Sequence, residues 1–310
     1  MKNSSVLSGR TKRFKKSLPY IILALPAAIY LFIFNYLPMF GVVIAFKDYT
    51  YARGIFGSDW AAFKHFEYFF TSNDVVRVLR NTILYNLADL LLVGLFFGIL
   101  LALMLYEVRS KLANKAYQTT MLLPFFLSWV VVAGIALLLL NPKSGLINSF
   151  LVAIGLDKIA WYSEPGYWPF ILMFFLIWKN AGMASLYFYA ALLSIDNGLF
   201  EAAALDGAGR LRQIWYVSIP CLKPMASIVL ISRLGNILTS ELGLYYQVTM
   251  DSGPLYPTTD VLATYMYRGL EGGAISATAA VGLFQSLVGL VLVLVANSII
   301  KKINPENAMF

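Results

Sequence analysis

One cysteine, Cys221, stands in 310 residues, so no internal disulfide can brace the fold, and cysteine pairing says nothing about compartment. Histidine is as scarce: His65 alone cannot seed a histidine-based metal or catalytic cluster, and no catalytic or metal-ligating set is expected. The phosphate-cradling pattern G-x-x-x-x-G-K-[ST], the zinc pattern H-E-x-x-H and the nucleophile elbow G-x-S-x-G are all missing. The chain by itself therefore cannot use ATP in the P-loop manner, and it lacks the constellation an intramembrane hydrolase needs. Charge is thin too, at 13% of residues where soluble domains carry about a quarter. Low-complexity tracts, a soluble domain and a repeat of fixed period are also wanting.

What is present is apolar. Hydrophobic residues make up 59% of the chain and aromatics 15%, the composition of an all-α integral membrane protein. A helix needs about 20 apolar residues to cross the hydrocarbon core, and six runs qualify, near 19–46, 81–105, 119–140, 168–189, 225–245 and 275–299. Pro19, Pro26, Pro38, Pro124 and Pro169 lie in or at the ends of these runs, tolerable where neighbours re-satisfy the freed carbonyls. The first run follows basic residues (Lys12, Arg13, Lys15, Lys16) as a signal peptide would. It outruns a 7–15-residue apolar region and lacks a small-residue cleavage site, so it reads as a retained span.

Net charge is +8, and its placement matters more than its size; no nucleic-acid partner is expected. Lysines and arginines collect in the N-terminal arm, in 106–118 (Arg109, Lys111, Lys115), in 190–224 (Arg210, Arg212, Lys223) and at Lys301 and Lys302. The longer alternate loops, 47–80, 141–167 and 246–274, hold fewer, so the positive-inside rule puts both termini in the cytoplasm. This gives a cytoplasmic basic arm (1–18), a first span (19–46), an extracytoplasmic loop (47–80), a five-span core (81–299) and a cytoplasmic tail (300–310). The aromatic runs "WAAFKHFEYFF" (60–70) and "GYWP" (166–169) fit a membrane-interface belt, with Tyr167 and Trp168 at a span's start.

Between the fourth and fifth runs, residues 194–224 are unlike the rest. Asp196 and Asn197 suit a helix N-terminus, and "LFEAAALD" propagates one. Gly207 and Gly209 stop it. "RLRQIWYVS" forms a second short helix ending at Pro220, and Pro224 precedes the next span. A helix, a turn and a helix thus lie outside the bilayer, with Phe200, Leu205, Ile214, Trp215 and Val217 to bury and small residues at the tip.

The order of those residues, "EAAALDGAGRLRQIWYVSIPCLKP", resembles the EAA signature of the permease subunits of type I ATP-binding-cassette importers. Glu201, Ala202, Ala203, Asp206, Gly207, Ala208, Gln213, Trp215, Pro220, Leu222 and Pro224 fall on the pattern. Ile214 stands where the family usually has phenylalanine and Val217 where isoleucine is commoner. "RNTILYN" (80–86), "LLPFFLSWVVVAGI" (122–135), "IWKNAG" (177–182) and "PTTDVLATYMYRGL" (257–270) are similar to carbohydrate permeases, nearest the LplB-like subfamily serving oligosaccharides and polysaccharide fragments. The resemblance implies a pair of homologous permeases in a bacterial cytoplasmic membrane, an extracytoplasmic solute-binding protein, a carbohydrate substrate, and a separate ATPase dimer that binds ATP and Mg. It also implies that Glu201, Ala202, Ala203, Asp206, Gly207 and Ala208 seat on that ATPase.

Residues of the transport path are sought among polar side chains inside apolar runs, where an ionisable group is a functional candidate by default. Asp89, Lys179, Arg233 and Glu241 qualify, although pairing within the bundle accounts for them equally; Arg233 and Glu241, eight apart, share a helical face. In "WKNAG", Trp178 offers a stacking face, Asn180 donors and acceptors for hydroxyls, and Gly182 space. Trp178, Lys179, Asn180 and Glu241 are the path candidates. Gly94 and Gly98 form a G-x-x-x-G that packs helices. The alternative of a secondary transporter of a polar solute shares broken helices and buried charges but has no need of the EAA segment. Lacking a phosphate loop, the purified chain should hydrolyse no ATP; turnover by it without a partner ATPase, measured as phosphate release, would contradict this.

Overall fold

The computed structural model describes residues 18–303; almost all of the expected basic arm, and the tail beyond residue 303, lie outside the described residues. Two compact units form, one from the chain up to Phe69 with Ala274–Leu283, the other from Phe70–Gly273 with the chain from Phe284 onward. Among the described residues, four helices are long and apolar enough to cross a membrane: Leu18–Phe46, Val75–Tyr106, Pro165–Leu193 and Ile275–Lys302. Two further helix pairs qualify only if each bent pair is one span, which brings the number to six.

In the smaller unit the first span loosens into a π-helical turn at Phe32–Tyr36 and a 3-10 stretch at Leu37–Phe46, with Pro38 in its first turn. Beyond it, Lys47–Asp48 pairs antiparallel with Asp59–Trp60. The Phe46 ring closes this loop, stacked on Trp60 at 6.0 Å and edge-on to Phe63 at 5.6 Å. The hydrogen bond from Lys64 holds the Asp48 carboxyl below its usual range.

In the larger unit, the second and fourth spans pack side by side. A Cβ on Gly98 would lie 3.1 Å from the Phe188 ring, so the second half of the G-x-x-x-G lets that ring seat against the helix. Ala102, Phe188, Leu192 and Leu222 form one apolar cluster here. The other surrounds Trp168, which is 0% exposed and donates from Nε1 to the Trp161 carbonyl at 2.7 Å. Trp168 is thus a core residue, not the interface anchor its place beside Tyr167 implied; Tyr167 alone is exposed.

The apolar run at 119–140, expected to be one span, is not one helix. Lys111–Phe126 and Trp129–Leu140 meet at 92°. Pro124 removes a donor, and Ser128 starts the second half by accepting from the Val131 amide at 3.4 Å. In hydrocarbon, carbonyls freed by such a break need donors. Lys179 of the fourth span supplies them: its Nζ donates to the Pro124, Phe125 and Leu127 carbonyls at 3.3, 2.7 and 2.5 Å. Three residues along, a Cβ on Gly182 would collide with the Met121 carbonyl. The room expected at Gly182 for a ligand is therefore taken by the crossing of the two chains.

The run at 225–245 is interrupted too. Arg210–Cys221 and Lys223–Gly235 form the second bent pair, at 53°. The helix stops at Gly235, and a π-helical turn resumes at Gly243–Val248. Asn86 of the second span covers the gap, its Nδ2 donating to the Ile237 carbonyl at 2.8 Å and to Ser240 Oγ at 3.2 Å.

At the end of this unit carrying residues 249–273, two of the quoted motifs meet. Asn81 Nδ2 donates to the Asp260 carbonyl at 3.0 Å, the Leu262 amide to Thr82 Oγ1 at 2.8 Å, and Tyr85 Oη to the Thr258 carbonyl at 2.7 Å. The buried Asp260 carboxylate is bound by Arg77 at 2.9 Å and by Arg268. Replacing Lys179 by Met should leave the Phe125 and Leu127 carbonyls without their donor, while that of Pro124 keeps the Leu127 amide at 3.1 Å; each such loss costs roughly 1–3 kcal/mol and should lower the thermal unfolding temperature of the solubilised protein, with Lys179→Arg restoring most of it. An unaltered transition for Lys179→Met would show that the break needs no ammonium.

Candidate functional site

The gap in the fifth span borders a polar hollow in an apolar bundle. A cavity of about 160 Å³ is lined by Asn86, Asp89, Asn180, Arg233, Thr239 and Glu241, with Tyr245 and Leu176 as walls. The eight-residue spacing that puts Arg233 and Glu241 on one face holds only for a continuous helix. Because the helix ends at Gly235, Arg233 pairs instead with Asp89 of the second span. Asp89 Oδ1 is buried without a hydrogen-bond partner among the described residues, and the Glu241 carboxylate makes no ion pair among them.

Successive helical residues point about 100° apart, and this separates the three neighbours of the fourth span. Asn180 lines the cavity. Lys179 is consumed by the third-span break, its Nζ also 5.2 Å from the Trp129 ring. Trp178 is 37% exposed and touches Phe175 edge-on, with ring centroids 6.4 Å apart, away from the cavity. The structure thus joins Asn180 to Glu241 and leaves Trp178 and Lys179 out of the hollow. Asn86 and Thr239, which residue-by-residue reading passed over, belong to it; the available signal was an amide within the apolar run "ILYNLADLLL". Amide, hydroxyl and carboxylate groups together offer donors and acceptors to a polyhydroxyl ligand. No metal-holding acidic, histidine or cysteine cluster occurs among the described residues.

The second site is the 194–224 segment. Asp196 Oδ1 accepts from the Gly198 amide at 3.0 Å and starts the helix Asn197–Leu205. Gly207 ends it at φ +78°. The Ala208 amide reaches the Ala203 carbonyl at 2.9 Å and the Gly207 amide that of Ala204 at 3.0 Å, the paired bonds of a Schellman stop. Gly209 then begins the helical stretch from Arg210 to Cys221, one residue beyond the expected stop at Pro220. Glu201, Ala202, Asp206 and Gly207 are exposed, while Ala203 and Ala208 are half-buried. Phe200 packs on Tyr106 with centroids 5.9 Å apart, and Arg210 reaches Glu107 at 3.3 Å. Leu205, 90% exposed, and Trp215 stay uncovered within this chain.

Residues 94–307 match the family described as binding-protein-dependent transport system inner membrane component. The polygalacturonan/rhamnogalacturonan transport system permease protein YteP of Bacillus subtilis (strain 168) is 38% identical over 92% of this chain and 88% of its own. Protein LplB of the same strain is 36% identical over 92% of this chain and 89% of its own. Among solved structures, a chain of a bacterial ABC transporter involved in the import of the acidic polysaccharide alginate superposes with a TM-score of 0.83 at 38% identity, covering 94% of this chain and 98% of that one. A chain of bacterial alginate ABC transporter in complex with alginate pentasaccharide-bound periplasmic protein gives the same TM-score and identity. The secondary-transporter alternative falls with these matches, which run through both sites. The chain belongs to the family of binding-protein-dependent transport system inner membrane components, the membrane permease subunits of ATP-binding-cassette importers.

Proposed function

We propose that this permease carries an oligosaccharide across a bacterial cytoplasmic membrane, received from an extracytoplasmic solute-binding protein, with both termini in the cytoplasm. The observation that carries the reading is the polar hollow at the gap in the fifth span. Unwound backbone at membrane depth is tolerated where it lines a cavity, and transporters use it there. Asn180, Glu241, Asn86 and Thr239 then contact sugar hydroxyls, while the Arg233–Asp89 pair holds the second and fifth spans around them. The relatives named for polygalacturonan and alginate support a polymer fragment as cargo.

Transport further requires a second homologous permease to close the path and an ATPase dimer, which binds ATP and Mg. Glu201, Ala202, Ala203, Asp206, Gly207 and Ala208 form the seat for that ATPase, with Leu205 and Trp215 as the apolar surface it covers. Coupling is then a free energy shared between the two faces, so loaded binding protein outside changes ATP turnover inside.

Two experiments test this. Asn180→Ala and Glu241→Ala each remove a hydrogen-bonding group and should slow uptake of the binding-protein-delivered oligosaccharide roughly three- to tenfold while the complex still assembles; wild-type uptake by both variants would remove them from the path. A Cβ at Gly207 would meet no atom within 4 Å in this chain, so the costs of Gly207→Val are a positive φ that a β-branched residue resists and bulk toward the ATPase. Membrane expression should stay normal while ATPase pull-down or substrate-stimulated hydrolysis falls, and Glu201→Lys should give a milder loss. Wild-type values of both for Gly207→Val would reduce the segment to a connecting loop.

A further inference from the structure

A second cavity, of about 440 Å³, lies along the same seam between the second and fourth spans and is lined by Arg80, Leu84, Ala88, Phe170, Met173 and Thr258. Its size falls within the roughly 300–1,000 Å³ of small-molecule sites. The two hollows adjoin. Tyr85 walls this one and Tyr245 the polar one, and their ring centroids are 5.2 Å apart. On the fourth span, Phe170, Met173, Leu176 and Asn180 continue one helical face from the larger cavity into the smaller. Met173 and Asn180 are about 10 Å apart along the axis, a length that suits a short run of sugar rings better than one.

The two cavities differ in charge. In the smaller one the Arg233 cation is matched by Asp89, and the Glu241 carboxylate adds a negative charge, unpaired among the described residues, that suits a neutral sugar unit. In the larger cavity Arg80 is the charged side chain, and no acidic residue lines the wall. Arg80 is also pre-set: Nε and Nη2 donate to Asn81 Oδ1 at 3.2 and 3.0 Å, and Nη2 to the Pro257 carbonyl at 3.1 Å. These bonds orient the guanidinium and leave Nη1 without a partner among the described residues. A fixed cation with a free donor beside apolar walls selects an anion, and Phe170, 79% exposed, adds a face on which a sugar ring can stack.

We propose that this cavity is a subsite for a carboxylate-bearing sugar unit of the transported chain, with Arg80 as the specificity-determining residue and Phe170 as the stacking platform. It rests on the oligosaccharide reading above and adds the substrate class, a uronate-containing chain long enough to occupy both hollows. The site binds the acid through Arg80 Nη1 while hydroxyls of a further unit reach Asn180 and Glu241.

The test is equilibrium binding of a trisaccharide bearing one terminal uronate, and of its carboxyl-reduced neutral counterpart, to the complete transporter in lipid nanodiscs, without binding protein. Wild type should prefer the acid by roughly ten- to hundredfold, the factor a charge-assisted hydrogen bond supplies. Arg80→Gln should abolish the preference and Arg80→Lys retain part of it, while Phe170→Ala should weaken both probes alike. Equal wild-type affinities, binding of neither probe, or a preference that survives Arg80→Gln would overturn the proposal. So would loss of co-purified anionic lipid or of the paired permease on Arg80→Gln with the acid preference intact. Failure of wild type to import any binding-protein-delivered oligosaccharide would instead overturn the function proposed above.

Discussion

The ammonium of Lys179 on three backbone carbonyls is the interaction on which the larger unit depends. A chain that bends by 92° among apolar helices exposes carbonyls to a medium without donors, and unsatisfied groups there cost several kcal/mol each. A lysine suits the task because its three protons can fan out to three acceptors. Its position on the fourth span, one turn from the Gly182 crossing over Met121, pins the bent third segment to the central helix of the bundle. Once that cation is committed, Asn180 is the side chain of "WKN" left facing the hollow.

The same rule shapes the fifth span. Asn86, an amide in an apolar run, bonds the Ile237 carbonyl and Ser240 and so permits a stretch without helix between Gly235 and Gly243. That stretch turns Thr239 and Glu241 toward Asp89 and Arg233. In the fifth span the helix break and the polar cavity therefore have one cause: Asn86, the donor that makes the break tolerable, also lines the space the break opens.

Composition was enough to read a membrane protein with six apolar runs, and the order of residues 201–224 was enough to read a helix pair with its stop at Gly207. Both are local properties, of hydropathy and of one positive φ. The breaks at Leu127 and Gly235 were not legible, because each is stabilised by a side chain distant in sequence, Lys179 and Asn86. The Arg233–Asp89 pairing was hidden for the same reason, since helical spacing carries no information across a break. Trp168 misled because an aromatic at a span's start fits both an interface belt and a core; the Trp161 carbonyl decided it. Of the candidates near "WKN", Asn180 lines the hollow, Lys179 is drawn off by the backbone it serves, and Trp178 turns toward Phe175.

One helix touches every functional region of the larger unit. The second span, Val75–Tyr106, is 32 residues and about 48 Å long. At one end Asn81, Thr82 and Tyr85 bind the 258–262 loop. Midway, Asn86 and Asp89 hold the gap in the fifth span, and at the far end Tyr106 and Glu107 meet Phe200 and Arg210 of the EAA segment. The exposed Glu107–Arg210 pair is worth little by itself, so the ring contact and covalent continuity into the fifth span carry most of the attachment. The middle of this helix is also its irregular part, π-helical over Asp89–Phe97, an irregularity frequent at functional sites. On the function proposed above, a push at the EAA segment reaches the polar hollow along two elements, the second and fifth spans, that the Arg233–Asp89 pair ties to each other. A permease whose energy source lies in another subunit needs such a linkage, because displacement at one end has to alter the spacing of Asp89, Arg233 and Asn180 if it is to release a ligand.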